Sequence, residues 1–200
     1  MILRHIIFAI TRFLVGGSPI WQGSAPAAGP RIYFANHGSH LDTILMCAAI
    51  PPEFRAVTHP VAAADYWGKN ALTRYISLRV LHAVLVDRKA SRNPLEPLRE
   101  VLQRGESLII FPEGTRRDDA LPGKLKSGIF HLAREFPDAE LIPVYLENLS
   151  RAYPKGAILP APISCSVTFG APLVRVEGEQ KAVFLDRARD SIIALAEHAA

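Results

Sequence analysis

A histidine and an aspartate five positions apart, His37 and Asp42, carry the clearest chemical signal in the sequence. The apolar, aromatic run 32–35 before them is typical of a buried strand, and the apolar run 41–50 after them is typical of a helix. Residues five apart on one helix do not face each other, so His37 must precede the helix that Asp42 enters. An aspartate that accepts one ring N–H leaves the other nitrogen free to remove a hydroxyl proton, which is general-base chemistry.

A second polar group follows another strand-like run, residues 107–111. It comprises Glu113, Gly114, Thr115, Arg116 and Arg117. The turn predicts outward-facing amides at Gly114 and Thr115 that hold an anion, and either arginine is suited to grip phosphate with two hydrogen bonds. Glu113 is suited to bind a substrate hydroxyl or an arginine; the alternative is a solvated turn in which it only pairs with an arginine.

A third strand end carries Asp87 and Arg88. Short apolar runs alternate with helical patterns throughout residues 21–200, which predicts a single α/β domain with a mixed, largely parallel sheet covered by helices. Further strands are predicted at 55–58, 83–86, 107–111, 141–146 and 164–169, and helices at 70–80, 94–104, 126–136 and 179–197. Open sheets of this class bind ligands at the carboxyl ends of their strands, where these polar groups lie.

The amino-terminal segment 1–20 is predicted to begin with an amphipathic helix that associates with a membrane surface. Its apolar residues recur at spacings of three and four, and Arg12 interrupts the run well before the roughly 20 residues that a membrane span needs. Packing on the domain's own core and cleavage as a signal peptide are the alternatives. The Gly- and Pro-rich stretches 16–19 and 23–30 predict a linker before the first strand.

The composition indicates the general class of binding partner but does not identify a particular one. The chain of 200 residues has a net charge of +4 and a pI near 9.3, which favours anionic partners such as phosphate esters or acidic lipid. Its two cysteines, Cys47 and Cys165, lie in apolar surroundings and predict buried thiols in a reducing compartment. The sequence has no phosphate-binding glycine loop and no interleaved basic and aromatic residues, so no nucleic-acid partner is expected.

The blocks Asn36-His37 with Asp42 and Phe111-Pro-Glu-Gly-Thr-Arg116 resemble the N-H-x-x-x-x-D and F-P-E-G-T-R blocks of the glycerolipid acyltransferases. This family includes 1-acylglycerol-3-phosphate acyltransferase. The segment Val84 to Arg88 is similar to the family's second block, although His82 stands where a glycine is often found, and Ile142-Pro143-Val144 is similar to the fourth. The resemblance covers roughly residues 20–175, with the blocks in family order.

The resemblance implies acyl transfer from a thioester, acyl-CoA or acyl carrier protein, to the free hydroxyl of a lysophospholipid, most simply 1-acylglycerol-3-phosphate. His37 and Asp42 would be catalytic, without a metal or other cofactor. The residues that would bind substrate are Arg88, Glu113, Gly114, Thr115 and Arg116. The protein would be peripheral or monotopic on the cytoplasmic face of a membrane.

Other functions stay open on residue chemistry alone. The same mechanism could serve another lyso-lipid or an amino-lipid. His37, His40 and Asp42 also suit a metallohydrolase, although the remaining ligands would have to come from distant histidines. A serine hydrolase would use Ser39 without the usual G-x-S-x-G turn. A lipid-binding module without catalysis would need only the amphipathic helix and the basic residues.

Overall fold

The computed structural model describes residues 2–67, 71–87, 93–117, 119–153, 161 and 163–198. Its strands are β1 Gly16–Trp21, β2 Arg31–Ala35, β3 Thr58–Ala63, β4 Val84–Val86, β5 Ser107–Ile110, β6 Glu140–Glu147 and β7 Cys165–Phe169. Its α-helices are α1 Ile2–Val15, α2 Asp42–Ala49, α3 Ala64–Trp67, α4 Ala71–Tyr75, α5 Glu96–Gln103, α6 Gly128–Glu135, α7 Leu149–Ala152 and α8 Lys181–Glu197. A π-helical turn, Ile76–Val80, continues α4.

The strands form one sheet in the order β1-β7-β6-β2-β5-β3-β4. Every neighbouring pair is parallel except β6 and β7, which run antiparallel. This confirms the predicted α/β class with a mixed, largely parallel sheet. Because β2 and β5 are parallel neighbours, with Phe34 opposite Ile110, their carboxyl ends leave the sheet side by side.

Helices bury both faces of the sheet. On β2, Tyr33 packs in the cluster formed with α1 and α2, while Phe34 packs in the cluster formed with α5, α6 and α8. All five residues of β2 are buried, which is why the strand is apolar from Ile32 to Ala35 instead of alternating. The strand that leads into the His37 turn is therefore held on both faces.

The amino-terminal helix α1 divides its apolar residues between the core and solvent. Phe8 and Val15 are buried against the domain, whereas Ile6, Ile10 and Phe13 are exposed, with Phe13 at 89% of its full surface. Among the described residues, no helix combines the length and the apolar character that crossing a bilayer requires.

Two local predictions were wrong. The segment predicted as a linker after α1 forms β1, which pairs with β7 through an irregular register at its start. Gly17 in this strand has φ +84°, and a Cβ there would collide with the side chain of Leu45 from α2. The strand predicted at 55–58 begins only at Thr58, because Arg55–Val57 forms a 3-10 turn.

Candidate active site

The exit of β2 holds His37 and Asp42 in direct contact. Asp42 is fully buried in the first turn of α2, and its Oδ2 lies 2.7 Å from Nδ1 of His37. The same oxygen accepts hydrogen bonds from the backbone amides of Gly38 at 2.8 Å and Ser39 at 2.9 Å. Because Nδ1 of His37 donates to a carboxylate, Nε2 is the ring nitrogen that can accept a proton. The Phe111 ring stacks on the imidazole, with 4.2 Å between the ring centroids.

The turn after β5 forms hydrogen bonds with both the backbone amide and the backbone carbonyl of His37. The amide of His37 donates to Oε1 of Glu113 at 3.0 Å, and the carbonyl of His37 accepts from the amide of Arg117 at 2.9 Å. The other oxygen of Glu113 accepts from the amide of Gly123 at 2.8 Å, and only 5% of this residue is exposed. The Glu113 carboxylate therefore ties its own turn to the backbones of two other segments, at His37 and at Gly123.

Asn36 fixes the same strand exit against β6. Its side chain donates to the carbonyl of Leu146 at 3.0 Å and accepts from the Leu146 amide at 2.8 Å. Ser39 is also engaged: its hydroxyl donates to the carbonyl of Tyr153 and accepts from the amide of Leu41. Since Ser39 is 2% exposed and does not line the cavity described next, it is not placed as a nucleophile.

A cavity of about 430 Å³ opens beside His37. His37, His40, Thr115, Arg116 and Lys126 contribute polar groups to its wall. Much of the apolar wall comes from β3, β4, β5, α6 and the start of α5 with the residue before it: Val61, Ala63, Val86, Leu95, Leu98, Ile110, Ile129 and Leu132. A mostly apolar cavity with a few convergent polar groups is typical of a small-molecule site.

The two arginines after β5 have different surroundings. Arg116 lines the cavity and its Nη1 contacts Nε2 of His40. Arg117 pairs instead with Asp119 at 2.5 Å and lies 3.8 Å from Glu113. Of the two arginines that the sequence offered for phosphate, only Arg116 faces the cavity. Partial burial, reinforced by the neighbouring Arg116, lowers the pKa of His40.

Two features favour glycine at position 114: its backbone conformation and the close approach of Lys126. Its φ is +70°, a conformation that glycine adopts most easily, and the Lys126 side chain lies across the position that a Cβ would occupy. The predicted outward-facing amide is not available here, because it donates to the carbonyl of Phe111 at 3.0 Å. The Gly38 amide is likewise engaged, by Asp42.

The structure thus brings six of the predicted site residues to one sheet edge: His37, Asp42, Glu113, Gly114, Thr115 and Arg116. Arg88 lies outside the described residues. Two contributions were missed from the sequence. Asn36 belonged to the recognised block but gave no hint of its partner, and the apolar lining comes from elements whose packing only the fold reveals.

His82, where the family resemblance suggested a glycine, has φ +54°. Glycine adopts this left-handed conformation without steric cost, whereas other residues do so at a cost of about 1–2 kcal/mol. The carbonyl of His82 accepts a hydrogen bond from Nδ1 of His59 at 2.8 Å. Both the left-handed backbone and this hydrogen bond lie in the segment that leads into β4.

At the exit of β2, a buried carboxylate holds a histidine beside a largely apolar cavity, and a second turn is hydrogen-bonded to that histidine's backbone. This fold and site are those of a family of known proteins. The family model described as Acyltransferase matches residues 22–147, and the chain belongs to this family.

Individual relatives match the chain at low sequence identity. A 1-acyl-sn-glycerol-3-phosphate acyltransferase of Limnanthes alba is 28% identical over 172 residues, covering 80% of this chain and 59% of the relative. The enzyme named 1-acyl-sn-glycerol-3-phosphate acyltransferase alpha of Homo sapiens is 27% identical over 135 residues, covering 65% of this chain and 45% of the relative. The chain therefore spans less than two thirds of these relatives. The solved 1-acyl-sn-glycerophosphate (LPA) acyltransferase of Thermotoga maritima has the same fold, with a TM-score of 0.73, 20% identity, and 96% and 78% of the two chains covered.

Proposed function

We propose that the protein transfers a fatty acyl group from an acyl thioester to the free hydroxyl of 1-acylglycerol-3-phosphate, giving phosphatidic acid. The observation that carries the proposal is the His37 imidazole, fixed by buried Asp42 at 2.7 Å, on the wall of a largely apolar cavity. The names of the relatives, which are 1-acyl-sn-glycerol-3-phosphate acyltransferases, support this acceptor. The thioester is acyl-CoA or acyl carrier protein, and no further cofactor is required by the steps that follow.

His37 acts as the general base. Its Nε2 takes the proton of the acceptor hydroxyl while the hydroxyl oxygen forms a bond to the thioester carbonyl carbon. The resulting tetrahedral intermediate expels the thiolate, which takes the proton back from the imidazolium, so an ester and a free thiol are formed. Asp42 holds the Nδ1–H tautomer throughout and stabilises the positive ring.

The cavity supplies the remaining requirements. Its apolar wall accepts a fatty chain, and its volume of about 430 Å³ lies within the range of roughly 300–1,000 Å³ seen for small-molecule sites. At the polar side, Arg116 and Lys126 are the cations that hold the acceptor's phosphate, with Thr115 beside them. Glu113 acts by positioning, because its carboxylate is engaged by the amides of His37 and Gly123. Arg88 is retained as a substrate-binding residue on the family resemblance alone.

The exposed side of α1 is the proposed contact with the membrane. Leu3, Ile6, Ile10, Phe13 and Leu14 are exposed along it. Arg4 and Arg12 add the positive charge that anionic headgroups attract. Since Phe8 and Val15 pack on the domain, the helix would lie in the interface while attached to the core. The proposed location is the cytoplasmic face, where acyl thioesters are made available.

The decisive experiment offers purified protein several lyso-acceptors with acyl-CoA and with acyl carrier protein, and identifies the lipid product by mass spectrometry. We expect phosphatidic acid from 1-acylglycerol-3-phosphate, and a loss of at least about a hundredfold in kcat for His37→Gln, because general-base catalysis contributes about 10²–10⁴-fold. His198→Gln is the matched control, since this histidine is exposed and does not line the cavity.

Two further arms separate the alternatives. Activity that EDTA abolishes would indicate a metalloenzyme, and activity lost in Ser39→Ala but kept in His37→Gln would indicate a hydrolase. Product formed only from an acceptor other than 1-acylglycerol-3-phosphate would reassign the substrate. Full activity of His37→Gln would refute the mechanism.

A further inference from the structure

The contact between Arg116 and His40 joins the two turns that build the site. His40 lies in the turn between β2 and α2, and Arg116 lies in the turn after β5; both line the cavity. Nη1 of Arg116 is always a donor, so Nε2 of His40 must be the acceptor in this contact. The His40 ring therefore carries its proton on Nδ1, the same tautomer that Asp42 imposes on His37.

We propose that His40 is a positioning residue for Arg116, which sets the preference for a phosphorylated acceptor over an unphosphorylated one. A guanidinium on a long side chain loses rotamer freedom when it binds, and an acceptor that holds it beforehand reduces that loss. The inference rests on the proposed function, because the anion that Arg116 receives is the phosphate of the lyso-lipid.

The surroundings of His40 favour this role over a second base. In the part of the chain that the structure describes, Arg116, His37 and Asp42 are charged or titratable neighbours of His40, and Asp65 and Lys126 line the same cavity. Partial burial and the adjacent Arg116 both lower the pKa of His40, which favours the neutral ring that can accept a hydrogen bond from Arg116. The backbone bond from Arg117 to His37 keeps the two turns together and so keeps Arg116 within reach of His40.

The test compares His40→Ala with His40→Gln, because a glutamine side-chain oxygen can replace Nε2 as acceptor. For His40→Ala we expect KM for 1-acylglycerol-3-phosphate to rise roughly tenfold, the effect of losing one hydrogen bond to a charged group. The value of kcat, and KM for a monoacylglycerol lacking phosphate, should change by less than about twofold. His40→Gln should restore most of the affinity. A merely structural role would move both acceptors together and would not be rescued.

Two readouts do not depend on turnover. Two-bond ¹H–¹⁵N spectra should show the Nδ1–H tautomer of His40 in the wild type, and Arg116→Ala should change that pattern. Equilibrium binding of 1-acylglycerol-3-phosphate to the His37→Gln protein should weaken roughly tenfold when His40→Ala is added. If the wild type transfers no acyl group but these two results hold, the proposed function fails and the role of His40 stands. An Nε2–H tautomer, or equal losses for both acceptors, overturns the inference.

Discussion

Replacing Glu113 by glutamine distinguishes a residue that binds substrate from one that holds the site together. The substitution keeps the shape of the side chain but turns one acceptor oxygen into an amide donor. Both oxygens of Glu113 now accept backbone N–H groups, from His37 at 3.0 Å and from Gly123 at 2.8 Å. Glutamine can satisfy only one of them, so one donor must face another donor in a site that is 5% exposed.

The expected loss follows from these contacts. A hydrogen bond to a charged group is lost and a buried donor is left unsatisfied, which together cost about 2–4 kcal/mol. For a chain of this length each kcal/mol corresponds to about 2–4 °C, so Tm should fall by roughly 4–16 °C. Activity should fall through kcat, because the backbone of His37 loses its anchor, while KM for the acceptor changes little.

The assay is thermal unfolding followed by circular dichroism, together with steady-state kinetics at a temperature where the variant is folded. Asp119→Asn is the matched control, because it removes the same charge from the same turn at a carboxylate that is 65% exposed. That control should change stability by less than about 0.5 kcal/mol. An unchanged Tm with a raised KM in Glu113→Gln would refute the reasoning and favour direct contact with substrate.

Three further predictions follow from the same structure. His82→Gly should raise the free energy of unfolding by about 1 kcal/mol in urea denaturation, because φ is +54° there; a decrease would show that the side chain matters more than the backbone. Gly114→Ala should lose more stability and activity than Gly105→Ala, since both have positive φ but only at Gly114 does Lys126 occupy the Cβ position. Equal losses would remove Lys126 from the explanation. Burial raises the pKa of the Cys47 thiol to about 12, so this thiol should resist alkylation at pH 8 until the protein is unfolded, and fast labelling of native protein would contradict its burial.

The sequence was informative where local chemistry decides the structure. The apolar run of β2, followed at once by His37 and Asp42, was sufficient to predict a strand exit with a histidine held by an aspartate. The alternation of elements predicted the sheet class, because helices and strands have different apolar periods. The helix predicted at 94–104 begins at Glu96, with Pro97 in the first turn, where proline is tolerated.

What could not be predicted depends on partners distant in sequence. β1 contains glycines and a proline that are typical of a turn, and only its pairing with β7, about 150 positions later, makes it a strand. Glu113 looked like a ligand-binding residue, because nothing local reveals that its acceptors meet the amides of His37 and Gly123. The chemistry of a side chain can be predicted from the sequence, but the distant backbone groups with which it will form hydrogen bonds cannot.

The hydrogen bonds between the turn after β5 and the backbone of His37 limit how the site can be transferred to another protein. The bond from His37 to Glu113 spans 76 positions, and the bond from Arg117 returns to the carbonyl of the same histidine. Transplanting the histidine turn alone into a foreign scaffold would leave the amide and the carbonyl of His37 without their hydrogen-bond partners. The smallest transferable unit is thus a pair of segments, and laboratory recombination between relatives should succeed most often when both come from one parent.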